Sequence, residues 1–261
     1  MKIPFTKCHA NGNDFILLMF DDLNNKILEK NMIKKLCDRH RGVGSDGLFV
    51  ISKLKQCDFK LDYYNSDGSW ETLCANGSRC AIKLMNKLGE INNDCVFMAG
   101  DGLHRATLSS NGEVSMKMQT PKYKSSLISP EGFNGYFVDT GARHFICESK
   151  NLTNDFVYEM GKKIRCSEYF SPHGVNINFF QLNNMQSVTI KTYEKGVEAI
   201  VQSCASGSTA VVFHLSQNNT ISNNFISHSS GGSLYFSFDE AWKDPWVRGP
   251  AKILFSGIFS L

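Results

Sequence analysis

The feature that most constrains this chain is a corner that occurs twice. The segment C-A-N-G-S-R-C-A-I at 74–82 and the segment C-A-S-G-S-T-A-V-V at 204–212 share Cys, Ala, Gly and Ser in register, and each opens an apolar helical pattern. Each also follows a strand-like run ending in a polar residue, Asn65 or Glu194, nine or ten positions earlier. Such a repeat implies two homologous halves. If the halves pack about a pseudo-twofold axis, their two helix starts face one another across an interdomain cleft, a common setting for a ligand site.

Composition narrows what that ligand can be. At 261 residues the chain is long enough for one large domain or two smaller ones. With 20% charged residues and a net charge of +3 it lacks the electrostatic footprint of a nucleic-acid or anionic-membrane binder, which points to a small-molecule protein or a scaffold. The apolar run Phe15 to Phe20 is too short to span a bilayer and is flanked by Asp14, Asp21 and Asp22. No basic segment with a small-residue cleavage site precedes it, so the expected location is the cytoplasm. The nine cysteines are odd in number and form no C-x-x-C, which favours neither a disulfide framework nor a metal site. Cys8, Cys37, Cys57, Cys80, Cys95, Cys147 and Cys166 read as structural residues, most of them buried.

Strands are expected at 15–20, 47–52, 59–64, 114–119, 175–180, 188–193 and 233–238, where apolar residues alternate or run on. Asn111-Gly112 marks a hairpin. Helical spacing appears around 31–40, 76–88, 153–164 and 206–216, so the pattern is α+β. The Ser, Pro and Gly residues of 123–135 mark the boundary, giving one domain over 1–122, rejoined by a last strand at 252–261, and a second over 123–251. The segment G-V-G-S-D-G at 42–47 has the spacing of a dinucleotide loop, but it follows a helix and precedes a strand, the reverse of that motif.

The chemistry of one corner follows from its residues. A cysteine at a helix start has its thiolate favoured by unpaired N–H groups and the positive end of the helix dipole. Asn76 or Ser206, each followed by Gly, lets the backbone turn closely enough for N–H groups to hold a carboxylate. Two such corners suit a carbon acid held by its carboxylate, one sulfur removing a proton and the other returning one to the opposite face. A Cys/His hydrolase and a non-catalytic carboxylate-binding module are the readings from other classes.

The ordered motifs resemble the diaminopimelate epimerase family. H-A-N-G-N-D-F at 9–15, D-R-H-R-G-V-G-S-D-G at 38–47 and Y-N-S-D-G-S-W-E-T-L-C-A-N-G-S-R-C at 64–80 carry the likeness in the first half. T-G-A-R-H-F at 140–145, V-N-I-N-F-F at 175–180, T-Y-E-K-G-V-E-A-I-V-Q-S-C-A-S-G at 192–207 and W-V-R-G-P-A at 246–251 carry it in the second. The resemblance implies two pseudo-symmetric α+β domains, each a mostly antiparallel sheet wrapped around a central helix. It also implies a cofactor-independent, metal-free epimerisation of LL-2,6-diaminopimelate to the meso form, in lysine and peptidoglycan precursor synthesis. Cys74 and Cys204 match the catalytic pair, His144 and Glu194 the assisting residues, and Ala75, Asn76, Ala205 and Ser206 the backbone clamps on the reacting carboxylate. Asn13, Asn65 and Asn176 match substrate-binding asparagines, and Lys195 stands where the family has an arginine that grips the distal carboxylate. That lysine offers a point charge instead of a planar fork. Ala142 stands where the family has an asparagine, both C-G corners are C-A, and Arg143 is the neighbouring guanidinium able to stand in. These departures keep open a racemase or epimerase of a different amino acid on the same machinery. The expected partners are a small amino-acid substrate and, optionally, a second copy of the chain, with no nucleic acid and no membrane.

Overall fold

Each Cys corner starts a helix that strands cover on most sides. The helix Ala205–Gln217 buries Ala205, Gly207 to Phe213 and Leu215, so apolar surface runs around it instead of along one stripe. The helix Ala75–Lys87 buries Ala75 to Ile82, Leu84 and Met85. Helices of this kind need a shell. The computed structural model describes residues 2–23, 28–218 and 221–260. Its contacts divide the chain into two units, Met1–Met116 with Gly249–Leu261, and Lys117–Arg248.

The units repeat one order of elements. The first runs β1 (Lys2–Ala10), β2 (Asn13–Met19), α1 (Lys30–Cys37), β3 (Gly47–Leu54), β4 (Cys57–Asn65), β5 (Trp70–Glu71), α2 (Ala75–Lys87), β6 (Asp94–Ala99), β7 (Gly102–Leu108) and β8 (Val114–Lys117). After a short β9 (Lys122–Tyr123), the second runs β10 (Tyr136–Asp139), β11 (Arg143–Glu148), α3 (Asn154–Arg165), β12 (Asn176–Asn184), β13 (Ser187–Glu194), β14 (Ala199–Val201), α4 (Ala205–Gln217), β15 (Asn224–Ser229), β16 (Gly232–Ser237) and β17 (Trp246–Gly249). A final strand, β18 (Lys252–Ser260), pairs antiparallel with β1 as β9 does with β10. The structure is thus a mixed α+β protein, mostly sheet, built from two similar halves.

Pairing within each half is mostly antiparallel, and the parallel pairs fall at equivalent places: β2–β3 and β4–β6 in the first, β11–β12 and β13–β15 in the second. Parallel neighbours need a long crossover, and a helix lies within each one. α1 and α3 are amphipathic and bury only Ile33, Leu36 and Cys37, or Val157, Gly161 and Ile164. α2 and α4 are the enclosed crossovers: α2 packs on β1, β2, β3, β7 and β18, and α4 on β11, β12, β15 and β16. The Asn111-Gly112 hairpin joins β7 to β8, with Gly112 at φ +81 supplying the left-handed residue of the turn.

The glycine after each corner is required by close approach and not by backbone angle. A Cβ on Gly77 would lie 2.0 Å from Phe49 Cε2, and one on Gly207 would lie 2.1 Å from Asn178 Oδ1. Gly77→Ala is therefore expected to lower stability by about 1–3 kcal/mol. A reduced urea midpoint at unchanged slope would show it, and adding Phe49→Leu should recover part of the loss. An unchanged midpoint would show that α2 shifts freely on β3.

Candidate active site

The two cysteines occupy the same backbone position. Cys74 is the N-cap of α2 at φ −131 and ψ 108, and Cys204 is the N-cap of α4 at φ −128 and ψ 104. Each carbonyl accepts the first helical bond, from Ser78 N or Ser208 N at 2.9 Å. Neither side chain caps its own helix. None of the nine cysteines is in a disulfide. Cys74 and Cys204 are partly exposed, whereas Cys8, Cys37, Cys80, Cys95 and Cys147 are buried, and burial pushes the thiols of Cys37, Cys80, Cys95 and Cys147 upward. Cys166, read from sequence as structural, ends α3 on an exposed surface.

In the first unit the corner is built on carboxamides. Asn13 opens β2, its Oδ1 lies 4.0 Å from Cys74 Sγ, and it accepts from Asn76 Nδ2 at 3.2 Å. Its Nδ2 donates to Asp46 Oδ2 at 2.7 Å. Asp46 is delivered by the 42–47 segment, which folds back on the end of α1: Val43 N and Gly44 N both donate to Leu36 O. That is the role of the glycine spacing. Asp46 in turn holds Arg39, which reaches Asp14 as well, and Asp14 also accepts from the buried Lys7. Burial raises the Asp14 carboxyl, but hydrogen bonds and charge from Arg39 and Lys7 outweigh it and bring the pKa to about 2. Asn65 ends β4, where Tyr63 Oη donates to its Oδ1 at 2.7 Å and its Nδ2 donates to Ser69 Oγ at 3.2 Å.

The second corner rests on a buried imidazole. Asn178 Nδ2 donates to the Phe145 carbonyl at 3.2 Å and its Oδ1 accepts from Thr192 Oγ1 at 2.9 Å, which fixes its orientation. The same Nδ2 donates to His144 Nδ1 at 3.1 Å. An amide nitrogen can only donate, so the network assigns the His144 proton to Nε2, which lies 3.0 Å from Ser206 Oγ and donates to it. Ser206 Oγ is 3.5 Å from Cys204 Sγ. A hydroxyl in that place can accept from the thiol or donate to the thiolate, so it serves either protonation state. His144 is fully buried, and burial brings its pKa down to about 3, which keeps the ring neutral.

The remaining sequence-derived candidates lie at strand ends. Asn176 Oδ1 accepts from Lys195 N at 2.8 Å, so it holds the turn that follows β13. Glu194 ends β13 opposite Ala199, half-buried, and Lys195 is exposed. Arg143 stacks its guanidinium on the Phe137 ring at 5.0 Å. Residues that pattern reading passed over are Asp46, Arg79, Asn178 and Thr192, which orient the named ones; a signal was present in N-I-N-F, whose two asparagines share one face of a strand. Among the described residues no cluster of three or more His, Cys, Asp or Glu side chains is placed to hold a metal, and no helix is long and apolar enough to cross a membrane.

The fold has counterparts among solved structures. A hydroxyproline epimerase from Agrobacterium vitis matches with a TM-score of 0.77 at 14% identity, over 98% of this chain and 92% of that one. A phenazine biosynthesis protein of the PhzF family from Bacillus anthracis matches with a TM-score of 0.77 at 12% identity, over the whole of both chains. The fold is the two-half fold of epimerases and PhzF-like proteins. The sequence profile described as diaminopimelate epimerase matches residues 5–124. A diaminopimelate epimerase of Flavobacterium psychrophilum is 37% identical over 256 residues, covering 95% of this chain and 97% of that protein. One of Aquifex aeolicus is 31% identical over 276 residues, covering 99% and 98%. The chain belongs to the diaminopimelate epimerase family.

The buried imidazole makes a testable statement about pH. Its folded pKa of about 3 lies below the ordinary histidine value of 6.5, so the unfolded chain takes up the proton first. Its contribution to stability is therefore complete above the unfolded pKa and falls as pH drops toward 3, with a slope approaching 1.4 kcal/mol per unit. In NMR spectra the His144 ring should remain in the Nε2–H form from about pH 8 to pH 5. A ring titrating near its ordinary value would contradict the assignment.

Proposed function

We propose that this chain interconverts LL-2,6-diaminopimelate and the meso form by a two-thiol mechanism, with Cys74 and Cys204 as the acid and base. The observation that carries the reading is the equivalence of the two N-cap cysteines, alike in backbone angles and partly exposed, where most other cysteines are buried. The family relationship supplies the substrate class. One thiolate removes the α-proton and the other thiol gives a proton to the opposite face, so each sulfur ends in the state the reverse reaction needs. First-turn N–H groups of a helix have no intrahelical partner, and at two helix starts they suit a carboxylate on which enolate-like charge builds up. His144 acts as a neutral donor to Ser206 and takes no proton itself. The chemistry needs neither pyridoxal phosphate nor a metal, as the resemblance implies. The setting we assign is the cytoplasm.

A different amino acid as substrate is favoured by one observation. Lys195 is exposed and presents a flexible ammonium where a planar fork would grip a distal carboxylate. Lys195→Arg should change the ratio of kcat/KM between α-amino acids with and without a distal carboxylate by about tenfold, the size of one charge-assisted hydrogen bond. An unchanged ratio would remove Lys195 from substrate recognition.

The central test uses each single Cys→Ala variant with pure stereoisomers in heavy water. Inversion should fall by at least about a hundredfold in both variants. Cys74→Ala and Cys204→Ala should each still exchange the α-proton of one stereoisomer, and the favoured stereoisomer should differ between them. Inversion near the parent rate in either variant would end the two-thiol reading. Inversion of another amino acid with none of diaminopimelate would transfer the mechanism to that substrate.

A further inference from the structure

The repeat makes one difference between the corners conspicuous. Five residues after Cys74 stands Arg79, and five residues after Cys204 stands Thr209. Thr209 is neutral and returns its hydroxyl to the Ala205 carbonyl at 2.8 Å. Arg79 is 0% exposed. Its Nη2 donates to Asn76 Oδ1 at 2.8 Å and to Asn11 Oδ1 at 2.9 Å, both neutral carboxamides. Nε and Nη1 are buried without a hydrogen-bond partner. Among the described residues none of the ion pairs includes Arg79.

A guanidinium out of water with no counter-charge is costly to keep. Burial brings the Arg79 pKa down to about 10, so it still carries its charge at neutral pH. Two thiols act on it electrostatically, Cys80 and Cys74, and the charged groups on the elements packed against α2 have partners of their own or lie in solvent. Cys80 on α2, beside Cys8 on β1, is pushed well up by burial and stays neutral. Asp14 on β2 and Asp46 before β3 are engaged by Lys7 and Arg39. Lys83 on α2 donates to the Gly112 carbonyl, His104 on β7 is bonded to Asp101, and Lys252 on β18 is exposed. Cys74 is the remaining group whose charge acts on the guanidinium. A short chain of contacts ties them: Arg79 holds Asn76, Asn76 donates to Asn13, and Asn13 Oδ1 lies 4.0 Å from Cys74 Sγ.

We infer that Arg79 is a positioning residue that makes Cys74 the thiolate of the resting protein, while Cys204, whose helix carries Thr209 at that place, rests as the thiol. Cys204 S–H then points its proton at Ser206 Oγ, and Ser206 turns to donate when that proton leaves. The inference deepens the two-thiol reading and rests on it, but its test does not use turnover.

The test follows alkylation by iodoacetamide at Cys74 and Cys204 separately, by peptide mass mapping, over a range of pH in the substrate-free full chain. In the parent, the midpoint for Cys74 should lie below that for Cys204. In Arg79→Met it should rise by about one unit or more while the Cys204 midpoint stays in place, and Arg79→Lys should keep it nearer the parent value. A loss of packing alone would move Cys74 as far in Arg79→Lys as in Arg79→Met, whereas a loss of charge moves it in Arg79→Met only. The inference is overturned if Cys204 has the lower midpoint in the parent, or if the Cys74 midpoint stays put in a folded Arg79→Met. Should that variant fail to fold, the order of the two parental midpoints decides. Ordered midpoints in a protein without epimerase activity would uphold the assignment and reject the function, so the two failures are distinguishable.

Discussion

Everything in this structure depends on how closely the start of each enclosed helix approaches the strand beneath it. Gly77 sits against the Phe49 ring and Gly207 against the Asn178 carboxamide, with no room for a single carbon more. That contact seats the helix, the seat fixes the N-cap, and the N-cap carries the sulfur. Because α2 and α4 are buried nearly all round, they cannot roll to relieve a clash on one side, so the thiols inherit the rigidity of the core.

The halves use one backbone and different side-chain chemistry. The first supports its cysteine with carboxamides, two salt-bridged aspartates and a buried arginine; the second uses a neutral imidazole held by one carboxamide, and two hydroxyls. Under the proposed two-thiol reading, divergence at fixed geometry is what a reaction between opposite faces of one carbon would permit. The backbone must present matched groups, but their proton affinities need not match.

The corners were legible in the sequence because they recur, and repetition separates Cys74 and Cys204 from seven other cysteines without any knowledge of depth. Strands with continuous or alternating apolar residues, such as β3, β4, β12 and β13, were legible for the same reason of period. β6 and β15 were not: D-C-V-F-M-A and N-F-I-S-H-S are short, and Ser227 is buried where an apolar residue would mark the inward face. The supporting shell was hardest to see. Arg79 reads as a solvated helix position and Asn178 as a break in an apolar face, yet both are fully buried, and only three-dimensional neighbours show what they hold. Buried polar residues violate the pattern that makes a core readable, and here they sit beside the two N-cap cysteines.

The pairing of β18 with β1 has a consequence for the order in which the protein comes into being. The second unit is continuous, Lys117–Arg248, whereas the first is closed by Gly249–Leu261. During synthesis the amino-terminal half emerges first, but its strand β1 waits with an open edge until almost the whole chain has left the ribosome, since Lys2 pairs with Ser260. The carboxy-terminal half can finish folding before its elder twin. The closure of the first half thus rests on the last strand to be made, whereas the second half draws all its strands from one uninterrupted stretch.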